Sequence, residues 1–252
     1  METIHFLGYI LPETVKVSVH HSPLLKWEAP EHGISMEYMI NIADSKIDVE
    51  CKVSEYRQAF LAELRMRALD LCRASINLVA FQRGFGLTTI LDTFVDPTGL
   101  TSIVQVHNPR LEAACTAFSL DSTFDEIHTL VRQDVHLSVV LNDLITALTM
   151  THTAQINCAR ALDGLKHRIA EPGSKDPAAW RQMRETLNLS EDYLKFITDR
   201  STDPRHGKLP IISENDANEI LLRAWTVVNC YFEHLKRKGA PLPQTEFPIL
   251  AA

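Results

Sequence analysis

At 252 residues and 45% hydrophobic, the chain has enough apolar material to bury a large core, either as one sizeable domain or as two ordinary ones. Its net charge of −7 excludes a general DNA-coating role, which needs many phosphate contacts from a basic face. No apolar run reaches the roughly 18 residues that a membrane helix requires, and METIHFLGYILPETVKV lacks the basic start and long apolar stretch of a signal peptide. The five cysteines (Cys51, Cys72, Cys115, Cys158 and Cys230) are odd in number and never spaced as CxxC, so reduced, mostly buried thiols in a soluble, cytoplasmic protein are expected.

Short apolar runs separated by Pro12, Pro23 and Pro30 predict strands over residues 4–10, 15–19, 34–42 and 47–53. Val15, Val17 and Val19 alternate with Lys16, Ser18 and His20, and Ile47, Val49 and Cys51 alternate with Asp48, Glu50 and Lys52, the period of a sheet with one wet face. Three-and-four spacing of Phe60, Leu61, Leu64, Ala68, Leu71, Ile76 and Val79 predicts a helix from 54 to about 83, stopped by Gly84 and Gly86. Runs at 87–95 and 100–106 flank Asp96-Pro97-Thr98-Gly99, whose proline and glycine suit a type I turn, and predict a hairpin. Residues 108–120 read as irregular, and Ser122-Thr123-Phe124-Asp125-Glu126 as a helix start.

Helices are expected over about 123–132, 134–149, 152–169, 177–199 and 214–237, with breaks at Pro172-Gly173-Ser174 and over 201–210. Ser213 with Asp216 resembles a capping box for the last helix, and Gly239 ends it. The tail from 242 is expected to run extended against the body through Phe247 and Leu250. The fold class expected is α+β: a strand-rich module with one long helix over 1–120, in which no motif names a function, then a helical bundle over 121–252.

Eleven histidines invite a metal site, but none has ligand spacing. There is no HExxH, and His20 and His21, adjacent on a predicted strand, point to opposite faces. Arg83-Gly84-Phe85-Gly86-Leu87 follows a helix and precedes a strand, the reverse of a dinucleotide loop, and GxSxG is absent. Neither a metal nor a cofactor is expected. Charge is uneven, however: residues 151–252 hold 14 Lys and Arg against 13 Asp and Glu, whereas residues 1–150 hold 11 against 19, so a polyanion would prefer the C-terminal part.

In that part, Asp199-Arg200-Ser201-Thr202-Asp203-Pro204-Arg205-His206-Gly207 packs two guanidinium groups and an imidazole into what reads as a polar turn between helices. An arginine fork suits phosphate oxygens, and a histidine exchanges a proton near neutrality. On the helix predicted over 152–169, Asn157, Arg160, Asp163 and His167 form a polar stripe opposite Ile156, Leu162, Leu165 and Ile169. The same stripe serves equally as a solvated face with an Arg160–Asp163 pair. On the last helix, Arg223 and Asn229 interrupt an apolar sequence and need partners.

Residues 151–238 resemble the HEPN domains, compact helical bundles in which an arginine is followed four to six residues later by a histidine near the start of the last helix. Arg200 and His206 match that pattern, and His206-Gly207 resembles the ending seen in many such domains. The resemblance implies a metal-independent endoribonuclease of the toxin, antiphage-defence or RNA-processing kind, a homodimer that brings two motifs to one RNA. It gives His206 the role of general acid or base at the ribose 2′-hydroxyl, with a cyclic phosphate product, and Arg200 that of stabilising charge on the phosphate. Arg205, Asn157 and Arg160 would bind substrate. The alternative is a noncatalytic HEPN-like bundle that dimerises or binds a nucleotide or protein partner, and the N-terminal module is a further candidate for contacting a protein.

Overall fold

The computed structural model describes residues 1–19, 24–29, 33–104, 106–120, 123–208 and 213–251. The chain is α+β and divides into two compact units, Met1–Gln105 with a sheet and one long helix, and Val106–Ala252 with helices throughout. The divide precedes the expected boundary at 120, because a short helix in between buries its Leu111 in the helical core.

In the first unit, β1 (Glu2–Leu11), β2 (Leu25–Ala29), β3 (Ile34–Ala43), β4 (Lys46–Val53), β5 (Thr88–Val95) and β6 (Thr101–Ile103) form an antiparallel sheet in the order β2-β3-β4-β1-β5-β6. The period-2 pattern expected around Ile47, Val49 and Cys51 forms as β4, and β3 shows the same alternation. Ile34, Met36, Tyr38, Ile40 and Ile42 of β3 and Ile47, Val49, Cys51 and Val53 of β4 are buried under α1 (Leu61–Arg83), which contributes Leu64, Ala68, Leu69, Cys72 and Ile76 to the same core. The opposite face carries cross-strand pairs such as Lys26–Glu37 and His5–Asp48. Gly84, with φ of 67°, caps α1 in the left-handed conformation and donates its N–H to the Ala80 carbonyl.

Several expectations for this unit are corrected. Of residues 15–19 only Val19 pairs, in a single bridge to Ile42; Val17 is held instead by Ser45, whose Oγ accepts the Val17 N–H at 2.9 Å. β2 went unread because a five-residue edge strand between two prolines carries too little pattern, although prolines bounding an edge strand break no ladder. The long helix starts at Leu61, after a 3-10 turn over Gln58–Phe60, rather than at 54. The hairpin turn forms, with the Gly99 N–H on the Asp96 carbonyl and the Asp96 carboxylate accepting from the Thr98 and Leu100 N–H groups; the second strand is short, Thr101–Ile103, and the Val104 N–H extends the pairing by donating to the Asp92 carbonyl at 2.7 Å. His20 and His21 lie outside the described residues.

The second unit comprises α2 (Pro109–Ala114), α3 (Phe124–Gln133), α4 (Val135–Thr149), α5 (Ala154–Ile169), α6 (Asp176–Leu187), α7 (Glu191–Arg205) and α8 (Glu214–Lys236). α2 replaces the irregular stretch expected over 108–120: Asn108 caps it by accepting the Arg110 N–H, and Pro109 opens its first turn. Ser122 lies outside the described residues, and Thr123 uses its hydroxyl on the Ser119 N–H rather than as a cap. The helix expected over 177–199 is two, because Asn188 adopts φ of 55° and Ser190 caps α7 on the Tyr193 N–H. Leu242, Phe247 and Leu250 of the tail pack on the core, Leu250 bridging Leu189 and residues 243–247 forming a turn. All five cysteines are free, and burial pushes the thiols of Cys51, Cys72 and Cys158 up to about 12.

Candidate functional site

The Arg-His segment is helix rather than turn. α7 continues through Pro204, whose ring is buried, and ends at Arg205; His206 follows as its C-cap, its backbone N–H donating to the Thr202 and Asp203 carbonyls, and Gly207, with φ of 78°, leads the chain away. Pro204 cannot donate to the Arg200 carbonyl, but so close to the helix end the loss interrupts no further turn. Residues 209–212 of the expected break lie outside the described residues.

Arg200 is held toward the start of α7. Its Nη1 donates to the Phe196 carbonyl at 3.2 Å, its guanidinium lies 3.7 Å from the Phe196 ring centroid, and its Nη2 stands 3.8 Å from Asp216 of α8. Arg223 of α8 reaches the same ring at 4.1 Å and that of Tyr193 at 4.8 Å, while its Nε donates to Glu219 at 2.8 Å. The buried Arg223 Nη1 has no hydrogen-bond acceptor, and the aromatic faces supply its environment. Two arginines thus clamp Phe196 and join α7 to α8.

His206 lies six residues beyond Arg200, about 9 Å further along the axis and about 120° around it. Its imidazole is exposed and meets no partner among the described residues. Within one chain, Arg200 is thus turned back onto Phe196 and Asp216, while His206 stands exposed at the far end of α7.

The other candidates are committed to helix packing. Arg205 pairs with Asp163 of α5 at 3.2 Å. Arg160 forks onto Asp143 of α4, donating Nε to Oδ2 at 2.8 Å and Nη2 to Oδ1. Asn157 is buried, not part of a wet stripe, and donates to the Thr153 hydroxyl at 2.9 Å. α5 is the central helix, packed against α4, α6, α7 and α8, so the stripe read from its sequence is divided among neighbours. Asn229 finds its partners in the chain after α2, accepting the Thr116 and Ala117 N–H groups and donating to the Thr116 hydroxyl.

The sequence reading missed two further groups. Lys166, almost fully buried, donates to Asp163 at 3.1 Å and to Asp176 at 2.6 Å beside the Trp180 ring; its ammonium holds the Asp176 carboxyl below the usual range. Asp143 was legible as the lone carboxylate between Asp134 and Asp163, a charge in an apolar helix that demanded a partner. Among the described residues, no three His, Cys, Asp or Glu side chains are placed to hold a metal ion, and no helix is long and apolar enough to cross a membrane.

One surface stands apart from these engaged groups. The exposed residues of α4 are Val135, His136, Ser138, Val139, Asn142 and Ile145; none is Asp, Glu, Lys or Arg, His136 lies at the edge of the face that the others form, and Val135 is 70% exposed.

No curated protein and no solved structure matches the chain. Two family models do: the N-terminal domain of DUF8168, a domain of unknown function, over residues 4–141, and the DUF8168 C-terminal domain over residues 124–236. The first spans more than half of the chain and takes in the sheet from Ile4 of β1 onward, the second takes in α3 to α8, and the chain accordingly belongs to the DUF8168 family.

Proposed function

We propose that the protein is a noncatalytic association module whose helical unit pairs with a second copy through the charge-free face of α4. The observation that carries this is that face itself: Val135, Val139 and Ile145 are each about half exposed or more, and only uncharged Ser138 and Asn142 lie among them. Isolated apolar side chains are ordinary on a surface, but a contiguous face depleted of charge is the composition of an interface centre. A twofold contact sets a surface against itself, so any charge on it meets its own sign; a face without charge avoids that repulsion. The commitment of Arg160, Arg200 and Arg205 to internal partners supports the noncatalytic part.

Sedimentation equilibrium tests the association. Wild type at about 50 μM is expected to be dimeric and Val139→Glu monomeric with unchanged helical circular dichroism, since a buried carboxylate at the twofold costs far more than ten-fold in affinity. A monomeric wild type overturns the proposal.

RNA cleavage is the second reading, favoured by the free, exposed imidazole of His206, and it requires a second copy to supply the arginine. Incubation of wild type and His206→Ala with RNA in EDTA separates the two. Intact RNA with both proteins is expected; cyclic phosphate ends made by wild type alone would establish the nuclease instead.

A further inference from the structure

The sheet unit holds an open pocket of about 200 Å³ between α1 and the β2–β3 edge. Its floor is buried and rich in sulfur: Met36 is 4% exposed, and Tyr38, fully buried, donates its hydroxyl to the Met36 sulfur. Met66 of α1 adds a second thioether, so the walls suit an apolar group of variable shape. At the rim, the Arg67 guanidinium stands over the half-exposed Trp27 indole, its carbon 3.6 Å from the ring centroid. Among the described residues Arg67 makes no hydrogen bond and no ion pair, so a stacked, oriented fork of N–H donors is left for a ligand. Glu63 and Asp70, four residues before and three after Arg67 on the same helix, line the pocket as well.

We propose that this pocket binds a small zwitterion, an α-amino acid with an apolar side chain, its carboxylate on Arg67, its ammonium toward Glu63 and Asp70, and its side chain against Trp27, Met36 and Met66. Charge decides the class. A plain carboxylic acid satisfies Arg67 but confronts two carboxylates, and a plain amine satisfies the carboxylates but meets the guanidinium. A carboxylate oxygen accepts more than one hydrogen bond, so partners that Glu63 and Asp70 already have leave room for an ammonium. The volume, below the 300–1,000 Å³ typical of sites for drug-sized ligands, fits a molecule of amino-acid size. The site lies within the sheet unit and is independent of association through α4.

Isothermal titration of the full chain tests it with L-phenylalanine, L-methionine, and two fragments that keep the phenyl group, 3-phenylpropionate and phenethylamine. At least one amino acid is expected to bind, with both fragments at least about ten-fold weaker than phenylalanine if phenylalanine is the ligand, and the corresponding acid and amine of methionine if it is methionine. Arg67→Gln and Arg67→Lys, the second keeping the charge without the planar fork, should each weaken binding about ten-fold or more at an unchanged melting temperature, as should Trp27→Leu. Absence of heat from both amino acids up to about 10 mM overturns the proposal, as does an acid fragment binding as tightly as its amino acid, or undiminished binding by folded Arg67→Gln.

Discussion

Asp143 lies fully inside the bundle, and Arg160, whose side chain is more than half exposed, is its only charged partner among the described residues. Removing the arginine would strand an ionised group away from water, which costs far more than an exposed pair contributes. Arg160→Ala is expected to lower stability by about 3 kcal/mol in urea titration, and Asp143→Asn in the same background to restore part of it. An arginine kept for substrate would leave the urea midpoint nearly unmoved. Gly8 makes a different kind of demand. β1 shifts register against β5 between Leu7 and Gly8, and a Cβ at Gly8 would stand 1.9 Å from the Ile90 carbonyl oxygen. That obstacle is backbone and cannot rotate away, so Gly8→Ala is expected to cost about 3 kcal/mol by the same titration.

Among the elements, the join between α5 and α6 depends on a charge. Asp176 opens α6 and accepts from the buried Lys166 of α5, which holds its carboxyl below the ordinary carboxylate value near 4. A group whose pKa is lower folded than unfolded stabilises the fold fully above the unfolded value, and that contribution is lost as pH falls through the folded value. The difference in melting temperature between wild type and Asp176→Asn is therefore expected to be largest near neutrality and to shrink below about pH 4; an equal difference at both pH values would separate Asp176 from the effect. Element boundaries show what a pattern leaves out. Apolar spacing runs unbroken from α6 into α7, so the split rests on two polar residues, Asn188 in the left-handed conformation with its side chain donating to the Leu242 and Phe247 carbonyls, and Ser190 as a cap. Pro204 and Gly207 read as a loop because a proline ordinarily ends a helix, whereas here it sits buried in the last turn.

Across the whole molecule, the sheet unit and the helical unit each close their own core, with no buried residue shared between the two. A segment with a closed core carries its own folding cooperativity, so residues 106–252 expressed alone are expected to melt in one sharp transition with helical circular dichroism. A broad, noncooperative melt would show that the helices depend on the sheet. The α+β class, the alternation of β3 and β4, the reach of α1 to Gly84, the Asp96–Gly99 turn and the Ser213 cap of α8 were all present in the sequence, because each depends on neighbours within a few residues. The lone carboxylate of α4 and the charge-free side of that helix were equally legible. Which residues bind and which only hold was decided by tertiary structure: Arg200 on Phe196, Arg205 on Asp163, Arg160 on Asp143 and the free stack of Arg67 on Trp27 join residues from separate elements. A sequence shows that a guanidinium needs a partner, but the packing of helices and strands chooses it, and that choice leaves some donors spent and others open to a ligand.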